Sequence, residues 1–189
     1  MIYGLRLGEV LGLRWRDIDK DDREIRVRQQ LQRVKGELRL YPVKTAAGRR
    51  DLPLLPIARG MLGLRRQAQA ADRAELGRAG QDNGFVFTTK TGRPIEPRNL
   101  LRSFRRICDR NKLRVIKVHH LRHTTATLLK NLGVPARETQ IIVGHSRVAI
   151  TLQIYTHEDR QAQREALGRI SEALGHASEL PAANEKDGE

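Results

Sequence analysis

Residues 24–54 read EIRVRQQLQRVKGELRLYPVKTAAGRRDLPL. Ile25 and Val27 alternate with charged neighbours, Lys35-Gly36 turns the chain, and Leu38 and Leu40 alternate again, which is the period of half-buried strands. A second turn at Ala46 to Gly48 leads to Asp51-Leu52-Pro53-Leu54. The stretch predicts a three-stranded antiparallel meander whose second hairpin presents Lys44, with Pro53 placing the third strand at an edge.

Helical patterns lie on both sides of it. Upstream, Leu7, Val10, Leu11 and Leu13 have the spacing of a short helix with one buried face, on which Arg6 and Glu9 are three apart and within reach. Downstream, Pro56 suits a helix start, and Ile57, Met61 and Leu64 mark one face of a helix through an Arg/Gln/Ala-rich stretch. Pro97 opens a stronger helix expected to bury Leu100, Leu101, Phe104 and Ile107, and Trp15 reads as core. Another helix spans about His119 to Leu132, stopped by Gly133 and Pro135. Two shorter helices flank Gly144-His145-Ser146, and a last amphipathic one, around Arg160 to Leu174, follows Tyr155. The expected class is α+β: mostly helical, with a small three-stranded antiparallel sheet near the N-terminus.

The 189 residues suit one domain, over residues 1–175, followed by an acidic tail at 176–189 that reads as disordered. Lys and Arg total 36 against 22 Asp and Glu, a net charge of +14, which points to a polyanionic partner. Arg supplies 28 of those 36 cations, and its fork suits bidentate contact with phosphate. Aromatics are only 4%, which disfavours single-strand binding by stacking. The single cysteine, Cys108, excludes an intramolecular disulfide framework and a Cys-based zinc site. No stretch approaches the roughly 18 apolar residues of a membrane helix, and the N-terminus lacks a signal peptide's apolar run. A soluble, cytoplasmic protein is expected.

Two blocks could carry chemistry. In His119-His120-Leu121-Arg122-His123, His119 and Arg122 share a helix face, so an imidazole and a guanidinium could grip one anion. The competing zinc reading, from His119 and His123, needs a third ligand. In the block from Gly144 to Tyr155, a helix-turn-helix would make residues 147–154 the recognition helix. That helix offers Val148, Ala149 and Ile150 where polar base-reading side chains are wanted.

Gly4-Leu5-Arg6-Leu7-Gly8-Glu9, followed by Leu13-Arg14-Trp15 and Asp17-Ile18-Asp19, resembles the first signature of the tyrosine recombinases, the phage-integrase-like site-specific recombinases. Lys44-Thr45, the His119 to His123 block and Gly144-His145 to Tyr155-Thr156-His157 match its later signatures in order, across nearly all of residues 4–157. The resemblance implies a catalytic domain that cleaves and rejoins double-stranded DNA through a 3′-phosphotyrosine ester, without metal, ATP or other cofactor, assembled on DNA as a tetramer. It implies that Arg6 and Arg122 clamp the scissile phosphate and that Tyr155 is the nucleophile. Lys44 becomes the general acid for the leaving 5′ oxygen, His119 handles the nucleophile's proton, and His145 hydrogen-bonds the phosphate. Glu9 orients neighbouring cations or is an ordinary surface partner of Arg6 at i, i+3, and His123 contacts phosphate or packs. The other tyrosines, Tyr3 and Tyr41, are expected at a frayed N-terminus and packed in a strand. Family members carry an N-terminal DNA-binding region, and a chain starting five residues before Arg6 is expected to be without it and without the first helices of the catalytic domain. The alternatives are a catalytically inactive DNA-binding remnant and, on charge alone, a basic structural or RNA-associated protein.

Overall fold

A computed structural model of the chain describes residues 2–19, 21, 23–155, 168–170 and 172. It divides into two compact units, residues 1–154 and 155–189. The expected tail at 176–189 lies outside the described residues, as does most of the helix expected over 160–174.

The first unit is α+β. In chain order the elements described are α1 (Leu7–Gly12), β1 (Glu24–Val27), β2 (Gln29–Val34), β3 (Glu37–Pro42), β4 (Arg50–Pro53), α2 (Pro56–Leu76), α3 (Pro97–Arg110), α4 (Val118–Asn131), α5 (Ala136–Val143) and α6 (Val148–Tyr155), whose last residue belongs to the second unit. Pro56 and Pro97 each open a helix, where a missing N–H costs nothing. Gly133 at φ 76° and Gly144 at φ 70° end α4 and α5 in the left-handed region.

The sheet departs from the expected meander. β2 pairs with β3 through the Lys35-Gly36 turn, but β4 pairs with β1 and not with β3, giving two two-stranded ladders. Gln29 faces Pro42, the Val43 N–H donates to the Arg28 carbonyl at 3.1 Å, and Val27 faces Arg50. The arrangement is therefore one long hairpin whose return strand is interrupted by a six-residue loop, residues 44–49, with no third strand paired to it among the described residues. The second turn does not reverse the chain. It lets the return strand skip six residues and resume along the same neighbour, an outcome that alternation cannot distinguish from a meander.

Among the described residues two clusters form the core. One holds Leu13, Ile18, Ile25, Leu54 and Val86, with Trp15 packed against it; the other holds Leu11, Leu31 and Phe85. α1 lies on β2 through Gly8 and Gly12, four apart: a Cβ at Gly12 would meet the Leu31 nitrogen and Gln30 Cα at 2.9 Å. That close approach fixes the start of α1, and hence Arg6, against the sheet.

Three expectations about packing are corrected. On α2, Ile57, Met61 and Leu64 are exposed, and the inward face carries Ala58, Leu62 and Gln69. The Gln69 amide donates to the carbonyls of Phe85 and Val86, and Arg65 donates to those of Val86 and Thr88. The irregular segment beneath needs donors for its buried carbonyls, so a polar face packs there. On α3, Leu101 and Ile107 are exposed and Phe104 is half-buried; of the expected stripe only Leu100 joins a core cluster. Phe104 and Ile107 face an open apolar cleft of about 250 Å³ shared with α1 and α4, and Leu101 lines a separate one. Tyr3 is not frayed: its hydroxyl donates to the Pro53 carbonyl at 3.0 Å and accepts the Leu55 N–H at 2.8 Å.

Candidate functional site

Arg6 stands at the N-terminus of α1, where Glu9 is the third helical residue. The Glu9 carboxylate accepts the Arg6 backbone N–H at 2.9 Å and Arg6 Nη1 at 2.7 Å, and Arg6 Nη2 donates to the Gly144 carbonyl at 2.9 Å. The guanidinium is thus aimed by two groups from opposite ends of the unit. Glu9 is no surface partner; the residue is 2% exposed. Burial pushes its carboxyl pKa up, but the charge of Arg50 and hydrogen bonds from Arg6 and Arg50 outweigh that and hold it below the usual range.

Arg122 lies on the inner face of α4 and is buried. Its Nη1 donates to the Gly4 carbonyl at 2.7 Å, while Nη2 is buried and has no hydrogen-bond partner among the described residues. Buried polar groups are nearly always paired; the other unpaired buried side-chain atom among the described residues, Arg14 Nε, lies outside this group of residues, and what sets Arg122 apart is the second guanidinium next to it. Burial first, and then the like charge of Arg6, lower its pKa to about 10, which leaves it cationic at neutral pH.

His145 follows the left-handed Gly144, which turns the chain out of α5 and toward α6. It is buried, and its Nδ1 shares a hydrogen bond of 2.9 Å with the Thr151 hydroxyl. Burial, then Arg122 and Arg6, depress its pKa to about 4, so the ring is neutral at pH 7. A histidine whose folded pKa lies below its unfolded value of about 6.5 lets the unfolded state bind the extra proton between those values. Stability is then at its plateau above pH 6.5 and is lost as pH falls toward 4, by an amount on the order of 3 kcal/mol. Denaturant midpoints from pH 8 to 4 should show this slope in the native protein and a shallower one in His145→Asn; equal slopes would contradict it.

His119 is exposed at the first turn of α4, and its ring meets that of His123 edge-on at 5.2 Å. Burial, then the neighbouring His123, Arg122, His120 and Arg6, lower its pKa, favouring the neutral ring that can accept a proton. His123 is exposed. No group of three or more metal-ligating side chains occurs among the described residues, so the zinc reading finds no third ligand there.

Arg6, His119 and Arg122 line one open cleft of about 450 Å³, together with apolar residues of α3 and the segment before α4. Lys44 lies elsewhere: it is exposed, on the six-residue loop, and lines a shallow cleft with Arg28, Val43 and Arg49. Tyr155 closes α6 and is the first residue of the second unit.

Sequence reading missed Arg50. Its side chain is 4% exposed, and the guanidinium sits between three acceptors: Glu9 Oε2 at 3.1 Å, the Ile142 carbonyl at 2.9 Å and the Gly48 carbonyl at 2.9 Å. The signal was available. Arg50, Leu52 and Leu54 are alternate residues and all point inward, and a cation in register with a core face demands a buried anion.

The phage integrase family model matches residues 1–162. A XerC-like tyrosine recombinase of Caldanaerobacter subterraneus is 34% identical over 166 residues, covering 82% of the chain and 42% of that relative. The ICEBs1 integrase of Bacillus subtilis is 28% identical, covering 92% of the chain and 47% of its own length. The chain thus spans less than half the length of either curated relative. Among solved structures, the Tn1549 transposon integrase in complex with circular intermediate DNA superposes with a TM-score of 0.73 at 27% identity, covering 89% of the chain and 56% of that one. The XerA recombinase gives 0.59 at 26% identity, covering 88% and 53%.

Proposed function

Because the chain belongs to the phage integrase family, we propose that it is the catalytic part of a site-specific recombinase that cleaves and rejoins DNA strands through a 3′-phosphotyrosine intermediate. Its substrate is double-stranded DNA, on which four copies assemble, and its setting is the cytoplasm. Among the described residues no helix is long and apolar enough to cross a membrane. The observation that carries the reading is the buried, unpartnered Arg122 Nη2 beside a second guanidinium, that of Arg6, and a neutral buried imidazole. Two like charges that depress one another's stability make sense around a dianionic phosphorane.

The chemistry divides as follows. The Tyr155 phenolic oxygen attacks phosphorus and its proton passes to His119, whose ring is held neutral. Negative charge gathers on the nonbridging oxygens, where Arg6, Arg122 Nη2 and His145 donate; with Nδ1 turned to Thr151, Nε2 is the ring nitrogen left for phosphate. The bond to the 5′ oxygen breaks, and that oxygen takes a proton from Lys44. The ester between Tyr155 and the 3′ phosphate stores the energy of the broken bond, so a 5′ hydroxyl of another strand reverses the step without ATP.

The test is covalent. Incubated with nicked duplex DNA, the protein should yield an adduct that survives SDS, and peptide mapping should place it on Tyr155. Mapping to Tyr3 or Tyr41 would overturn the assignment of the nucleophile. DNA binding with no adduct, in this chain and in one extended upstream, would favour the inactive remnant.

A further inference from the structure

We infer that Arg50 is a positioning residue, which fastens the loop carrying Lys44 to the carboxylate that aims Arg6. The inference rests on the roles proposed above for those two residues.

Arg50 opens β4 and is the residue at which the loop of residues 44–49 ends. Each of its guanidinium nitrogens has a separate task. Nη1 holds the loop itself, at the Gly48 carbonyl; Nη2 reaches Glu9; Nε reaches the Ile142 carbonyl in the last turn of α5. Loop, α1 and α5 therefore meet on one planar group. The fit is close enough to dictate a neighbour: a Cβ on Gly144 would come within 2.7 Å of Arg50 Nη1 and 2.9 Å of the Ala47 carbonyl. Gly144 in turn offers the carbonyl that Arg6 Nη2 uses.

The loop has little else to hold it. Lys44, Ala46, Ala47 and Arg49 are exposed, and Gly48 is its one buried residue. Thr45 caps the turn within the loop by accepting the Gly48 N–H at 3.2 Å, which shapes the turn but ties it to nothing outside. Besides the close packing of Gly144 on Ala47, the Arg50 hydrogen bond to Gly48 joins this thinly packed segment to Glu9 and α5.

Arg50→Lys separates the two duties. An ammonium keeps Glu9 charge-paired, and Arg6 keeps both its acceptors, but one nitrogen cannot serve three divergent acceptors. The loop is the part released. Amide exchange on the whole chain should then show lost protection at Gly48 and Arg49, whose N–H groups bond within the loop to Thr45 and Ala46, with β2 and β3 unchanged. Protection retained in the loop, or lost equally in β2 and β3, would overturn the inference.

Cleavage provides the functional arm. Misplacing a proton donor should slow Arg50→Lys by about 100-fold on ordinary nicked DNA. When the leaving 5′ oxygen is replaced by sulfur, the O–P bond to Tyr155 forms, the P–S bond breaks, and the thiolate departs without needing a proton, since thiols ionise near pH 8.5. The defect of Arg50→Lys should shrink to within about threefold of native, as should that of Lys44→Ala. If Lys44→Ala is rescued and Arg50→Lys is not, the inference fails. If neither is rescued, the acid role of Lys44 fails first and the inference falls with it. Should the unaltered chain cleave neither substrate, the proposed function is at fault, and amide exchange alone decides whether Arg50 holds the loop.

Discussion

Replacing Arg122 by alanine is expected to slow DNA cleavage by about 10³-fold while changing DNA affinity by less than about threefold. The magnitude is that of deleting one preorganised donor to a developing oxyanion, roughly 3–4 kcal/mol of barrier. The selectivity has a geometric origin. Arg122 is 3% exposed, with Nη1 committed to the Gly4 carbonyl and Nη2 buried without a partner among the described residues. A group this buried contributes little to the broad salt-dependent attraction that dominates binding of a duplex, and its contact strengthens where charge accumulates in the transition state. Arg122→Lys should recover little, because a point charge cannot hold Gly4 and phosphate together. Single-turnover cleavage beside equilibrium binding at fixed salt provides the measurement, and a loss of affinity matching the loss of rate would sink the prediction.

The second large effect is on stability. Glu9→Gln should destabilise the protein by about 3–5 kcal/mol, the cost of leaving a buried charge without its counterion. Glu9 and Arg50 have side chains 1% and 4% exposed, and the Glu9 carboxylate accepts from Arg50 and twice from Arg6. A glutamine presents an NH₂ group toward one of those donors, so besides the lost charge it sets donor against donor. For a unit of this size the melting temperature should fall by roughly 10 °C. Glu9→Gln combined with Arg50→Met removes both charges and should be more stable than Glu9→Gln alone. A double variant no better than the single one would show that the pair is not the source of the loss.

These predictions differ in how far the sequence could have reached them. His119 and Arg122 share a helix face at a spacing that suggests anion chemistry, whereas Arg6, Glu9 and His145 are singled out only by what the family resemblance implies; the structure brings these residues round one cleft or beside it. Their burial was not legible. Glu9 in particular reads equally well as a surface partner at i, i+3, and only the arrival of Arg50 from residues away makes it an interior anion. The α2 stripe of Ile57, Met61 and Leu64 failed for the complementary reason: helical spacing identifies a face without saying what opposes it, and the carbonyls of Phe85 and Val86 selected Gln69 and Arg65 instead.

The sequence by itself determined the α+β class, the helix starts at Pro56 and Pro97 and the Lys35-Gly36 turn, since each follows from local backbone preference or from short-period patterning. Only the tertiary structure decided that β4 returns to β1, that residues 44–49 form a loop inserted into a hairpin, and that Arg50 joins that loop to Glu9 and α5. Strand pairing and burial of a charge depend on which distant groups can satisfy the hydrogen bonds and counterions involved, and a pattern read along the chain contains no information about distance across it.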